Sequence, residues 1–323
     1  MTIKRTIKIF IFIFSFFILF SCSKTKTSDS NKNKEVTEKL TEERYNYYGD
    51  NYDPPVISLS IDITNSFKNM EIDGKYSDTT NVIEYKTLVF EGKPKKGECS
   101  NTTFSLSYPY IKSISIDNNK SNTNLVKIND FILSIISSYD YDKSFSDIED
   151  IRASFFRYYV EYKNNNNIEG DMRWSFDEKI TIQSVARGKI FFKRVVDSYL
   201  GQQYPSISIN YFGYDLPNGK KVSLSDIIKD LDKFNEIGEK YFRKAYEDYE
   251  IEEIKERNLP NDASLSELGY LFLDDKFKFN DNFYLTNDSI IFFFNDGEIL
   301  PHAFHCYDAE IVIPFLEIKD FLF

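Results

Sequence analysis

Apolar and polar positions alternate along much of the chain in patterns that distinguish strands from helices. Alternation with a period of two over Val56–Ile63, Val82–Phe90 and Thr102–Tyr110 predicts three β-strands. Apolar residues at helical spacing predict one amphipathic helix over Leu125–Tyr139 and another over Ser146–Tyr159. The first half of the chain is therefore predicted to be strands followed by helices.

The second half returns to strands on both sides of a long helical stretch. Met172–Ala186 and Ile190–Tyr199 flank Arg187-Gly188-Lys189, a pattern that predicts a hairpin. The four asparagines at positions 164–167 predict a loop before it, and Leu231–Arg257 predicts a long helix after it. The remaining predicted elements are strands at Ser206–Tyr214, Asn282–Leu285, Ile290–Asn295 and Ala309–Ile313, and a short helix at Phe315–Phe323. Runs of strands with helices inserted between them predict an α+β fold, with antiparallel sheets in two packed subdomains.

The N-terminus has the order of features found in a secretory signal peptide. A basic start is followed by the apolar run Ile9–Phe20, which is shorter than the ~20 residues that a membrane-spanning helix needs. Residues 1–21 are therefore predicted to be a cleaved signal peptide rather than an uncleaved anchor. The sequence Leu19-Phe20-Ser21-Cys22 resembles the lipobox of bacterial lipoproteins. That resemblance implies acyl chains such as palmitate on Cys22 and a membrane-anchored protein of the bacterial cell envelope, facing the periplasm or the outside.

Composition and charge narrow the class of protein. Aromatic residues make up 17% of the chain, far too many for an intrinsically disordered protein, although residues 22–55 are polar enough to form a solvated tether. The formal net charge is −11, and it becomes −14 when residues 1–21, with three basic and no acidic residues, are removed. An acidic chain of this kind is not expected to bind nucleic acid.

Cysteine and histidine are too scarce for a metal-rich or disulfide-rich fold. Of the 3 cysteines, Cys99 and Cys306 are left after lipidation, and they either form a disulfide or stay free thiols. The 2 histidines, His302 and His305, form a cluster of ligand-type residues with Cys306. A metal site needs three or four converging ligands, so a loop without a metal is the favoured interpretation. No metal or other cofactor is expected.

Short motifs occur in the order found in a pair of bacterial envelope domains of unknown function. Ser107-Tyr108-Pro109-Tyr110-Ile111 and Ile128-Asn129-Asp130-Phe131-Ile132 resemble the opening of a DUF4163-like domain. The stretches Tyr211–Ile228 and Phe283–Phe315 resemble the start and the end of a DUF3298-like domain. The same pair occurs in peptidoglycan deacetylases and in the extracellular part of an anti-sigma factor that senses lysozyme. By this resemblance the two domains are residues 56–205 and residues 206–323.

Two loops depart from the pattern of that family and hold the candidate ligand-binding residues. The family commonly has Gly-Gly-Ala-His after the hairpin, where this chain has Gly201 followed by Gln202, Gln203 and Tyr204. Near the C-terminus the family usually has Pro-Tyr-Ala, where this chain has His302 in the middle position. The deacetylases also use a His-x-x-x-His metal motif, which this sequence lacks, so deacetylation is not expected.

These observations predict a lipid-anchored envelope binding protein without catalysis of its own. The resemblance implies that its partner is a lysozyme-like protein or peptidoglycan, and the negative charge favours the basic protein through electrostatic steering. One alternative is a cell-wall glycan hydrolase that uses two carboxylates about 5–10 Å apart. The other is a structural lipoprotein without a soluble ligand.

Overall fold

The structure, a computed structural model, describes residues 67–92, 101–116, 119–120, 124–136, 148–168, 172–201, 205–301 and 310–323. All of these fall in the unit formed by residues 60–323. The described residues contain an eight-stranded sheet, a three-stranded sheet and four α-helices. Strand pairs are mostly antiparallel and helices are inserted between runs of strands, so the predicted α+β class is confirmed.

The larger sheet contains the long strands of the chain. Its strands are β1 (Phe67–Ser77), β2 (Val82–Gly92), β3 (Thr103–Ile116), β4 (Asn119–Lys120), β5 (Ser175–Ala186), β6 (Lys189–Tyr199), β7 (Ser206–Asp215) and β8 (Lys220–Val222). Their order is β1-β2-β3-β5-β6-β7-β8, with β4 paired to the end of β3. All neighbours are antiparallel except β3 and β5, which run parallel over five residue pairs. This parallel contact joins the two halves of the sheet.

The turn between β5 and β6 follows directly from its sequence. Arg187 and Gly188 both have positive φ, at 53° and 71°. A two-residue hairpin loop of this geometry matches the twist of the flanking strands and favours glycine at its second position. The predicted hairpin is therefore confirmed.

The predicted domain boundary between residues 205 and 206 lies between β6 and β7, which pair along their whole length in this sheet.

The helices begin and end at residues with clear capping roles. They are α1 (Leu125–Ser134), α2 (Ile148–Asn165), α3 (Leu231–Ala245) and α4 (Glu247–Arg257). The Asn124 side chain accepts from the N–H groups of Val126 and Lys127 at the start of α1, and the Asp230 side chain caps α3. Asn258, with φ of 53°, ends α4 in the left-handed conformation. Among the described residues, no helix combines the length and the apolar character needed to cross a membrane.

Several expectations about the elements need correction. The predicted single helix Leu231–Arg257 is two helices, because Tyr246 has non-helical dihedral angles of φ −106° and ψ 19°. The loop predicted at residues 164–167 begins later, because α2 continues through Asn165. Strand β1 was not predicted, while the predicted strand Val56–Ile63 lies outside the described residues.

Aromatic contacts of β6 show that both faces of the larger sheet are covered by other elements. Phe192 lies 6.2 Å from Phe131 of α1 between ring centroids, and the next residue back, Phe191, lies 5.9 Å from the Phe283 ring. Successive residues of a strand point to opposite faces, so α1 and the segment containing Phe283 cover opposite sides of the sheet. The Phe155 ring of α2 lies 5.7 Å from the Phe176 ring of β5 between centroids, on the same side of the sheet as α1.

The smaller sheet continues the core beyond β7. Its strands are β9 (Phe283–Leu285), β10 (Ser289–Phe293) and β11 (Glu310–Pro314), in the order β11-β10-β9. Strand β9 packs against β5 and β7, and helix α3 packs against β11. The aromatic rings of Phe279 and Phe292 stack at 3.9 Å in this region. One continuous group of buried apolar residues therefore connects β6 and β7 to the C-terminal strands.

Candidate functional site

The candidate residues predicted from the sequence lie outside the part of the chain that the structure describes. They are Cys22, Cys99, Gln202, Gln203, Tyr204, His302 and Cys306. The lipid attachment, the disulfide alternative and both candidate ligand loops therefore stay predictions. Gly201, just before the first loop, is described: its φ is 85°, and a Cβ atom there would lie 3.1 Å from Trp174 Nε1. Both facts favour glycine at the base of this loop.

A small cleft lies at the outer edge of β7, where β8 ends and the segment before β9 takes its place. It encloses about 240 Å³. That is less than the roughly 300–1,000 Å³ of a pocket for a drug-sized ligand, so the cleft is too small to enclose such a ligand. Its polar lining residues are Asn210, Lys221, Asn280, Asp281, Asn282 and Glu298, and Phe212 forms an aromatic wall.

The Asn282 side chain joins the segment before β9 to the open edge of β7. Its Oδ1 accepts from the Tyr211 N–H at 2.7 Å, and its Nδ2 donates to the Ile209 C=O at 2.8 Å. These are the two bonds that the backbone of a neighbouring strand would make. Asn129 of α1 acts in the same way on β3, where it accepts from the Ile111 N–H at 2.8 Å and donates to the Ile111 C=O at 3.1 Å. Side-chain amides thus complete the sheet where its strands lack a partner.

Asn295, just after β10, makes a second contact of this kind with β7. Its Oδ1 accepts from the Ile209 N–H at 2.6 Å, and its Nδ2 donates to the Ile209 C=O at 3.0 Å. Glu298 connects the surrounding amides, because Oε1 accepts from Asn295 Nδ2 at 3.1 Å and Oε2 accepts from Asn280 Nδ2 at 2.9 Å. Asn282 and Asn295 together are termed the amide clasp below. The clasp fixes one wall of the cleft against the other.

Four polar side chains are available to a ligand at the cleft. Asn210 is half-buried, and its side-chain amide has no hydrogen-bond partner among the described residues. Lys221 is exposed, and within the described ranges no carboxylate lies at ion-pair distance from its Nζ. Asp281 and Glu298 are also exposed, although Asp281 Oδ1 accepts from the Leu224 N–H at 3.2 Å. The cleft therefore presents donors and acceptors together.

The aromatic wall of the cleft is held by a half-buried charged side chain, that of Arg194. The Arg194 guanidinium lies 5.0 Å from the centroid of the Phe212 ring. Its Nη1 donates to the Ile135 C=O at 2.7 Å, and its Nε lies 3.8 Å from Oε1 of Glu178, a fully buried residue. Burial lowers the pKa of Arg194, and Glu178 acts in the opposite direction. Phe212 is therefore backed by an anchored cation rather than by a mobile side chain.

Two tyrosines support the cleft from the side of the smaller sheet. The rings of Tyr211 and Tyr284 lie 4.7 Å apart, and the Tyr284 hydroxyl donates to Glu310 Oε1 at 3.3 Å. Burial, followed by the Glu310 charge, raises the pKa of Tyr284 to about 12. The same two causes raise the pKa of Tyr211. Both phenols therefore stay protonated near neutral pH, and neither supplies a base.

The described residues contain no group of metal-ligating side chains, and no local sequence pattern indicates the cleft. In the described ranges, no three His, Cys, Asp or Glu side chains form a group that could hold a metal ion. The cleft itself was not predicted from the sequence. The triplet Asn280-Asp281-Asn282 has the composition of a turn, and that is how a sequence pattern interprets it. Its partner Tyr211 is 71 residues away, so no local pattern signals the contact.

Fold and cleft together define an α+β protein with a small polar cleft at the edge of its larger sheet. Residues 225–315 match a family described as "Protein of unknown function (DUF3298)". The chain therefore contains a DUF3298 domain at these residues, which confirms that part of the predicted resemblance. The matched range includes the Asn280–Phe283 wall and Glu298, whereas β7 and β8 precede it. The DUF4163-like part stays a prediction.

Two solved structures of DUF3298 proteins are similar to the chain. A member of the family from Bacteroides fragilis aligns with a TM-score of 0.48 and 16% identity, over 80% of this chain and 93% of that one. A family protein from Pseudomonas aeruginosa aligns with a TM-score of 0.44 and 10% identity, over 80% of this chain and 94% of that one. Comparison with curated proteins gives no match.

Proposed function

We propose that the chain is a lipid-anchored protein of the bacterial cell envelope that binds an envelope component through the cleft and catalyses no reaction itself. The observation that carries the binding proposal is the cleft, where exposed donors and acceptors lie beside a half-buried aromatic ring. Binding sites typically combine apolar lining with a few oriented polar groups. The amide clasp supplies the rigidity that such a site needs.

The anchoring part of the proposal is supported by the N-terminal sequence. A basic start, the apolar run Ile9–Phe20 and the Ser21-Cys22 pair have the order of a lipoprotein leader. The expected result is that the full-length protein sediments with membranes and that Cys22→Ala releases it. A Cys22→Ala protein that stays in the membrane fraction would contradict the lipid anchor.

The proposed partner is a lysozyme-like protein or peptidoglycan. The resemblance supports both, and the formal charge, −14 once residues 1–21 are removed, supports attraction to a basic protein. The test measures retention of the full chain on immobilised lysozyme and on purified peptidoglycan, at low and at moderate salt. Retention on either one is the expected result. If a folded protein is retained on neither, the binding function is wrong and a structural lipoprotein becomes the better interpretation.

One observation favours a second candidate function, hydrolysis of cell-wall glycan. Asp281 and Glu298 are two carboxylates in a single cleft, which is the residue type that glycosidases use in pairs. This alternative predicts release of soluble saccharides from peptidoglycan by the wild-type chain, and loss of that release in Asp281→Asn and in Glu298→Gln. If the wild-type protein releases no more saccharide than a buffer control, the hydrolase alternative is excluded.

A further inference from the structure

We propose that the cleft beside the amide clasp binds a neutral, hydroxyl-rich saccharide unit. This inference rests on the proposed function, because it names the chemical class of ligand for the same site. It follows from three properties of the cleft: the balance of its charges, the hydrogen-bonding capacity of its lining and its aromatic wall.

The charges of the lining disfavour both anions and isolated cations. The lining contains two carboxylates, Asp281 and Glu298, and one ammonium group, Lys221. An anion such as phosphate would meet a site of net negative charge, and no cluster of arginines is present in the lining to bind it. A cationic side chain would gain little from the net charge, because Lys221 shares the lining and both carboxylates already accept N–H hydrogen bonds from the protein. A neutral ligand avoids both conflicts.

The hydrogen-bonding groups suit hydroxyls, which donate and accept at the same atom. The free amide of Asn210 offers two donors and an acceptor, and Lys221 offers further donors. The carboxylates of Asp281 and Glu298 accept, and each is already oriented by an N–H group of the protein: Leu224 holds the first, while the clasp residue Asn295 holds the second. Acceptors that are fixed before binding lower the entropic cost of ordering them with the ligand.

Phe212 and the size of the cleft complete the match to a sugar ring. The ring of Phe212 is half-buried and lines the cleft, where it offers an apolar surface to the C–H groups of a pyranose. Arg194 keeps this ring in place. A volume of about 240 Å³ admits one unit of a polymer whose neighbouring units lie outside the cleft.

The test uses two neutral tetrasaccharides, chitotetraose and cellotetraose, titrated into the full chain by calorimetry at low and at moderate salt. At least one of them should bind saturably, with an affinity that changes less than about twofold with salt, since no charge is neutralised. Asn210→Ala should weaken binding about tenfold, the loss expected for hydrogen bonds worth ~1.4 kcal/mol. Lys221→Gln should weaken it severalfold. The matched control is Asn261→Ala, an exposed asparagine outside the cleft, which should bind like the wild type.

Each other outcome overturns the inference and leaves a distinct conclusion about the proposed function. If neither tetrasaccharide binds, but the chain is retained on lysozyme or peptidoglycan, the ligand class is wrong and the envelope function stands. The same holds if saccharide binding is unaffected by Asn210→Ala and Lys221→Gln in variants that unfold at the wild-type temperature, because binding then occurs elsewhere. If the chain binds neither the saccharides nor the two immobilised partners, both proposals fail.

Discussion

Replacing Asn282 with alanine tests whether the amide clasp fixes the smaller sheet to the edge of β7. The substitution removes the acceptor for the Tyr211 N–H and one donor to the Ile209 C=O. The Ile209 carbonyl keeps its bond from Asn295 at 3.0 Å, so its loss is small. The Tyr211 N–H belongs to a buried residue and is left without a partner. Leaving the buried Tyr211 N–H unsatisfied costs about 1–3 kcal/mol, and losing the bond to the Ile209 carbonyl adds up to about 1 kcal/mol.

The expected loss in the free energy of unfolding is therefore about 2–4 kcal/mol. For a domain of this size that corresponds to a decrease in Tm of roughly 5–15 °C, measured by circular dichroism during heating. Asn282→Asp should be worse than alanine near neutral pH, because it keeps the acceptor but places a buried charge against the Ile209 carbonyl. As the solution is acidified and that carboxyl group becomes neutral, its Tm should rise above that of the alanine variant, because the neutral group keeps the acceptor for the Tyr211 N–H and its O–H can donate to the Ile209 carbonyl.

The control for this experiment is Asn210→Ala on the same strand. Its side-chain amide has no hydrogen-bond partner in the described part of the chain, so its removal should change the stability by less than about 0.5 kcal/mol. If Asn282→Ala unfolds at the same temperature as this control and the wild type, the clasp contributes nothing measurable, and the argument that side-chain amides complete the sheet is wrong.

Three further substitutions test the packing and the charges around the site. Gly238→Ala should lower Tm, because the added Cβ would lie 2.6 Å from Phe279 Cζ. The cost of this overpacking, about 1–3 kcal/mol, exceeds the ~1 kcal/mol that alanine gains in helix propensity. An unchanged Tm would refute this. The pKa of Asp226 is lowered to about 2, first by its hydrogen bond from Lys220. Asp226 therefore stabilises the fold above about pH 4 and loses this effect as the pH falls towards 2, so Asp226→Asn should flatten the acid limb of the stability curve. Arg194→Ala should cost about 3–5 kcal/mol in denaturant unfolding, since it leaves a fully buried glutamate without this partner; a loss below about 1 kcal/mol would show that the pair is not structural.

Elements whose sequence pattern is local were predicted well. The β5–β6 hairpin follows from two long stretches rich in β-branched and aromatic residues around an Arg-Gly turn, and its observed bounds differ little from the prediction. Helix α1 also begins at the predicted residue, Leu125, although it ends at Ser134 rather than at the predicted Tyr139. In both cases the signal lies within the residues that form the element, so no distant contact is needed to identify it.

Strand β1 shows why other elements were missed. Its sequence contains Glu71 and Asp73 among other polar residues, a composition that does not indicate a strand. Glu71 pairs with Lys86 of β2, and Asp73 pairs with Lys112 of β3 at 2.6 Å. These cross-strand partners lie 15 and 39 positions away, outside the strand's own residues, so a local pattern does not include them.

The cleft was missed for the same physical reason. Each of its walls has an ordinary local sequence, and the cleft exists only because Asn282 reaches the backbone of β7 across 71 positions. The loops that the family comparison singled out lie outside the described residues, so the sequence and the structure point to different candidate positions. The Asn210 and Lys221 variants test the position derived from the structure.

The amide clasp also determines when the edge of β7 is covered during synthesis of the chain. Ribosomes deliver β6 and β7 well before they deliver Asn282 and Asn295. Until then, the outward N–H and C=O groups of Ile209 and Tyr211 form an open template to which a strand from another nascent chain can add. A product truncated before residue 282 should therefore aggregate. The last forty or so residues cover the open edge of β7 only at the end of synthesis.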